Sequence, residues 1–160
     1  MTSAGVVISV GEPGWRHCGV TVARVRAAAR LALARGLERS GNAGSHEGRL
    51  TVLLAGDDRL RELNLRFRGK DYPTNVLSFP ALETGSDYLG DVALALGVAA
   101  HEAQTAGKQL ADHALHLTVH GVLHLLGYDH RKPGEARTME RLEIAILHEL
   151  GVANPYTPRA

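Results

Sequence analysis

The sequence predicts an α+β fold, a small mixed sheet of about four strands packed against about five helices. Two observations carry that expectation. Short β-type runs crowd the first part of the chain, whereas long stretches with apolar residues at three- and four-residue spacing fill the last part. The predicted order is β-α-β-α-β-β-α-α-α, with no internal repeat and no domain-length linker. The 160 residues therefore read as one domain over 1–160, with the tail from about Asn154, which holds Pro155 and Pro158, expected to fray.

Taken in order, Val6 to Val10 is a short β run. Val20 to Arg39 is predicted helical, because Val22, Val25, Ala29, Leu33 and Leu37 recur on one face while Arg24, Arg26, Arg30, Arg35 and Arg39 occupy much of the remainder. Residues 40–48 are rich in Gly, Ser and Asn and read as a flexible loop. Arg49 to Leu54 is a strand, and Asp57 is read as the N-cap of a helix to about Phe67. After a loop containing Pro73, Asn75 to Phe79 is extended and Pro80 ends it; Leu89 to Leu96 is a further strand. Helices follow from Gly97 to about Ala106 and from Leu110 to Leu126, the latter stopped by Gly127. A last helix runs from Pro133 to Leu150, closed by Gly151.

Composition narrows the function classes. Apolar residues make up 44% and aromatics only 4%, so a folded core has to be built from Leu, Val, Ile and Ala. A lone cysteine, Cys18, excludes an internal disulfide and a thiolate zinc site, and fits a reducing compartment. The N-terminus lacks a basic region and a long apolar run, and no stretch is apolar enough to span a membrane, so the expected location is cytoplasmic. Net charge is +1, but residues 1–80 hold 12 Lys/Arg against 7 Asp/Glu, and residues 81–160 hold 6 against 10. The first half offers a polyanion a landing surface, or is simply a solvated helix face.

The informative segment is His120-Gly-Val-Leu-His124-Leu-Leu-Gly127-Tyr-Asp-His130. Residues four apart on a helix share one face, so His120 and His124 can reach one ion. Gly127 permits a sharp exit, and the turn can return His130 as a third ligand. Three neutral imidazoles with an open fourth position make the donor set of one catalytic Zn2+ at a helix end. The plain alternative is three separately satisfied histidines; another is a structural zinc with Asp129 as fourth ligand. His116 and Asp129 are candidates to support the ligands from behind.

The spacing also matches the metzincin protease motif H-E-x-x-H-x-x-G-x-x-H, except that Gly121 stands where the catalytic Glu belongs. Glycine cannot take a proton, so the metal cage resembles a protease while its base is missing. In a second cluster, Arg66, Arg68 and Lys70 sit where a loop can face a site, and arginine's planar fork matches phosphate oxygens. Its plain reading is a helix end followed by a polar turn.

Three blocks make a resemblance specific: Phe67-Arg-Gly-Lys-Asp-Tyr-Pro-Thr-Asn-Val-Leu-Ser-Phe-Pro80, Leu89-Gly-Asp91, and His116-Leu-Thr-Val-His-Gly-Val-Leu-His-Leu-Leu-Gly-Tyr-Asp-His130. With the helix of Met139, Glu140, Glu143 and Ile144 to Gly151, they resemble the YbeY family of bacterial zinc-dependent endoribonucleases, from about Val6 to Gly151. The resemblance implies zinc on His120, His124 and His130, and a role for Arg68 in RNA cleavage, with Arg66 and Lys70 as further RNA contacts. It implies single-stranded RNA as substrate, 16S rRNA 3′-end maturation and ribosome quality control. Expected partners are the rRNA precursor and the small ribosomal subunit, with a platform ribosomal protein and a ribosome-assembly GTPase, and no membrane. The rivals are a ribosome-assembly factor with a structural zinc and a metzincin-like metalloprotease.

Overall fold

The computed structural model describes residues 5–39, 48–82, 87–129 and 131–156. His130, most of the predicted 40–48 loop, and the last four residues lie outside the described residues. The elements are strand β1 (Val6–Val10), helix α1 (Val22–Arg39), strand β2 (Arg49–Ala55), helix α2 (Asp57–Arg68), strands β3 (Val76–Pro80) and β4 (Tyr88–Ala95), then helices α3 (Leu96–Ala106), α4 (Leu110–Leu125) and α5 (Pro133–Glu149). The predicted order and α+β class hold. A 3₁₀ turn at Pro13–His17, begun where Glu12 accepts from the Gly14 amide at 2.9 Å, escaped the sequence reading.

The sheet order is β1-β2-β4-β3. The first three strands are parallel, and β3 pairs antiparallel to β4 as an edge strand, with Ser78 opposite Val92. Strand alternation divides the core in two. Leu50, Val52, Leu54, Val92 and Leu94 face α1, α4 and α5 in the larger cluster. Ala55, Leu77, Ala93 and Ala95 face Leu60 of α2 and Val98 of α3 in the smaller one. No helix among the described residues is long and apolar enough to cross a membrane.

Two local readings are corrected. Asp57 does not cap α2, whose N-cap is Gly56; its Oδ1 instead accepts from the Val98 amide of α3 at 3.0 Å, so it caps the neighbouring helix. The tail expected to fray from Asn154 is tied down as far as Tyr156. The Lys108 ammonium donates to the Pro155 carbonyl at 2.6 Å, and the Tyr156 hydroxyl reaches Glu143.

Helix α4 is packed on most sides. Ala28, Ala32 and Gly36 form a small-residue stripe on α1 that lets it approach closely; a Cβ on Gly36 would lie 2.5 Å from Leu126 Cδ1. On the sheet side Gly121 does the same. A Cβ there would meet Val92 Cγ1 at 2.4 Å and Val76 Cγ2 at 3.2 Å, and the Gly121 carbonyl accepts from Ser78 Oγ at 2.8 Å. Val92 is buried and β-branched, so it cannot turn aside. Gly121→Ala is expected to cost about 1–3 kcal/mol in overpacking, offset by about 1 kcal/mol of helix propensity. Thermal unfolding should show a melting temperature lower by a few degrees; an unchanged value would mean that α4 can move off the sheet freely.

Candidate metal centre

The site begins with what α4 leaves open. From His113 to His124, every residue of the helix is buried except His113, His116, His120 and His124. These four lie three or four residues apart, on a single face. The ring centroids step along the helix, 6.2 Å from His113 to His116, 6.4 Å to His120 and 4.6 Å from His120 to His124. Gly127, with φ 96°, ends the helix after this stripe, as its position in the sequence suggests.

Behind the stripe lies Glu143, a residue that motif spacing alone did not single out. It sits on the buried face of α5 with Met139, Ile146 and Leu147, and is 1% exposed. Its Oε1 lies 2.7 Å from His116 Nε2 and 2.5 Å from the Tyr156 hydroxyl; its Oε2 lies 2.9 Å from His120 Nδ1. Burial alone would raise the pKa of this carboxyl. Hydrogen bonds from His116 and His120, and then Tyr156, outweigh that and hold it at about 2. Glu143 is therefore ionised and accepts only, so both histidines and the tyrosine donate to it. Burial and the adjoining carboxylate raise the Tyr156 hydroxyl above its ordinary pKa, which keeps it protonated for that role.

The tautomer follows. With Nδ1–H donated to Glu143, a neutral His120 ring carries its lone pair on Nε2, the nitrogen that a metal would take. A carboxylate that fixes the tautomer and raises the basicity of a histidine is the usual support of a zinc ligand. The donor set at His120 and His124 thus fits a zinc ion; His130, the third residue of the pattern, is outside the described residues. His116 is brought onto the same carboxylate as His120. Asp129 pairs with Arg131 at 3.1 Å and lines a separate cleft of about 250 Å³ with Glu135 and Thr138.

Gly121 explains why the protease base is missing here. The position points into the sheet between Val76 and Val92, so a glutamate there would have no room and would face away from the imidazoles.

Arg66, Arg68 and Lys70 are exposed at the end of α2, on the sheet face opposite α4. Among the described residues, no hydrogen bond, ion pair or ring contact joins them to the imidazoles. The Phe67 ring packs on Phe79 at 5.1 Å, which puts this helix end beside β3, the same edge strand whose Ser78 meets Gly121 on the other face. The turn after α2 is pinned: Asn64 Nδ2 donates to the Tyr72 carbonyl at 2.8 Å, and Arg61 grips Asp71 at 2.7 and 3.2 Å. Among the described residues, the side chains of Arg68 and Lys70 make no hydrogen bond or ion pair. Arg35, Arg49, Arg59 and Arg61 are each paired with a carboxylate, so four of the twelve cations of the first half are answered locally.

A family model described as Endoribonuclease YbeY matches residues 17–151. The chain belongs to the YbeY family. It is 50% identical over 135 residues to the Endoribonuclease YbeY of Bordetella pertussis, covering 83% of this chain and 85% of that one. It is 50% identical over 109 residues to that of Maricaulis maris, covering 68% of each. The fold is similar to the solution structure of TM1509 from Thermotoga maritima, with a TM-score of 0.57 and 22% identity, covering 95% of this chain and 99% of that one.

Glu143→Gln is expected to weaken zinc binding by about 10–100-fold, because the ligand loses the charged acceptor that orients it. Competition with a chelating dye measures this. An unchanged affinity would show that the carboxylate does not act on the ligand.

Proposed function

We propose that this YbeY-family chain is a zinc-dependent endoribonuclease that cuts single-stranded RNA, acting in 16S rRNA 3′-end maturation and ribosome quality control. The observation that carries the metal half of the reading is Glu143, buried and ionised, gripping Nδ1 of His120. Family membership and the relatives' printed names support RNA as the substrate. The rRNA precursor and the small ribosomal subunit, together with a platform ribosomal protein and a ribosome-assembly GTPase, are the proposed partners, and the cytoplasm the proposed location.

His120, His124 and His130 would hold one zinc ion, the last named by the sequence pattern alone. Zinc there supplies Lewis acidity toward water and phosphate oxygen. Glu143 keeps His120 in the tautomer that presents Nε2, and His116 and Tyr156 keep Glu143 charged. Arg68 would bind a phosphate of the substrate and stabilise charge building on it, with Arg66 and Lys70 holding flanking phosphates. An RNA strand crossing the β3 edge would meet the cations on one side of the sheet and the imidazoles on the other.

His124→Ala is expected to lose metal and RNA cleavage together while remaining folded. Arg68→Ala should keep its zinc and lose about 10²–10³-fold in cleavage rate, the scale of removing one stabilising charge. Metal content, circular dichroism and cleavage of a precursor rRNA fragment are the measurements. Normal cutting by Arg68→Ala would remove that residue from the mechanism. Unfolding of His124→Ala would favour the alternative of an assembly factor with a structural zinc.

A further inference from the structure

The histidine stripe continues past His120 into a cleft of about 500 Å³ between α3, α4 and the start of β3. His116, His120 and Tyr156 line one side, and Val76, Leu117 and Ala106 make much of the rest apolar. On the α3 side stands Glu102. Its Oε1 accepts from His113 Nε2 at 2.9 Å and from Asn75 Nδ2 at 3.1 Å, whereas Oε2 has only a long contact to the same Asn75 amide at 3.3 Å. The side chain is 39% exposed, so Oε2 keeps acceptor capacity toward the cleft. The neighbouring Asn75 Oδ1 is turned to the backbone, where it accepts from the Val76 amide at 2.7 Å.

The chemistry of these walls selects the ligand. A carboxylate repels a phosphate and attracts N–H donors. Flat rings and aliphatic groups favour a planar, mostly apolar body. The shared lining at His120 places that body one step from the metal centre. We propose that the cleft is a nucleobase subsite, in which Glu102 accepts a hydrogen bond from the exocyclic amino group of a base flanking the scissile phosphate. Adenine, cytosine and guanine carry such a group. Uracil does not: its one N–H is flanked by two carbonyls that would confront the carboxylate. Single-stranded RNA is commonly read in this way, by rings against the base and hydrogen bonds to its edge. The subsite rests on the RNA-cleavage reading above.

The test compares cleavage of oligoadenylate and oligouridylate of equal length by the zinc-loaded protein. The wild type should favour oligoadenylate in kcat/KM by about five- to tenfold, the value of one hydrogen bond made well against one made badly. Glu102→Gln should bring the ratio toward one, because a carboxamide can donate to a uracil carbonyl. Thr105→Tyr, at the exposed rim of the cleft, should raise KM for oligoadenylate several-fold by filling the space, and does not disturb a buried contact. Equal cleavage of both substrates by the wild type, an unchanged preference in Glu102→Gln, or an unchanged KM in Thr105→Tyr would each overturn the subsite. Cleavage of neither substrate by the wild type would instead overturn the RNA reading itself.

Discussion

A carboxylate buried to 1% exposure has to be paid for, and Glu143 is compensated by three donors from two separate parts of the chain. An ionised group removed from water costs several kcal/mol unless hydrogen bonds replace its hydration. His116 and His120 from α4 and Tyr156 from the tail do so. The same contacts fix the rotation of α4 against α5, anchor the tail, and set the proton on His120. Apolar burial of Met139, Ile146 and Leu147 holds α5 in place, and the carboxylate within that apolar face aligns it to the imidazoles.

The sheet makes the complementary demand. Because Gly121 lets α4 settle on Val76 and Val92, the helix has one side left for polar groups, and four histidines occupy it. Substitution on the sheet side is constrained by packing, and on the open side by chemistry. Edge strand β3 is the meeting point of both candidate clusters, with Ser78 bonded to α4 and Phe79 packed on the α2 end that carries Arg68.

Much of this was legible in the sequence where the cause is local. Helical spacing put His120 and His124 on one face, and Gly127 marked the end of α4. The element order and class followed from periodicity. What escaped depends on contacts between distant residues. Glu143 is named in the sequence only as part of the family-like helix; it lies 23 residues beyond His120, on another helix, and no spacing rule links the two. Asp57 carries the usual signature of an N-cap, yet its carboxylate serves α3, because β2 and β4 end side by side and bring the two helix starts together. Tyr156 follows a proline in a polar tail, and nothing nearby announces that it is held by a buried charge. The order β1-β2-β4-β3 likewise depends on pairings between strands far apart in the chain.

The position of Tyr156 has a consequence for biosynthesis. During translation the chain emerges from its N-terminal side, so His120 and His124 leave the ribosome before Glu143, and Glu143 before Tyr156. A nascent chain that has exposed α4 but not yet α5 therefore carries the histidines without the carboxylate and hydroxyl that orient them.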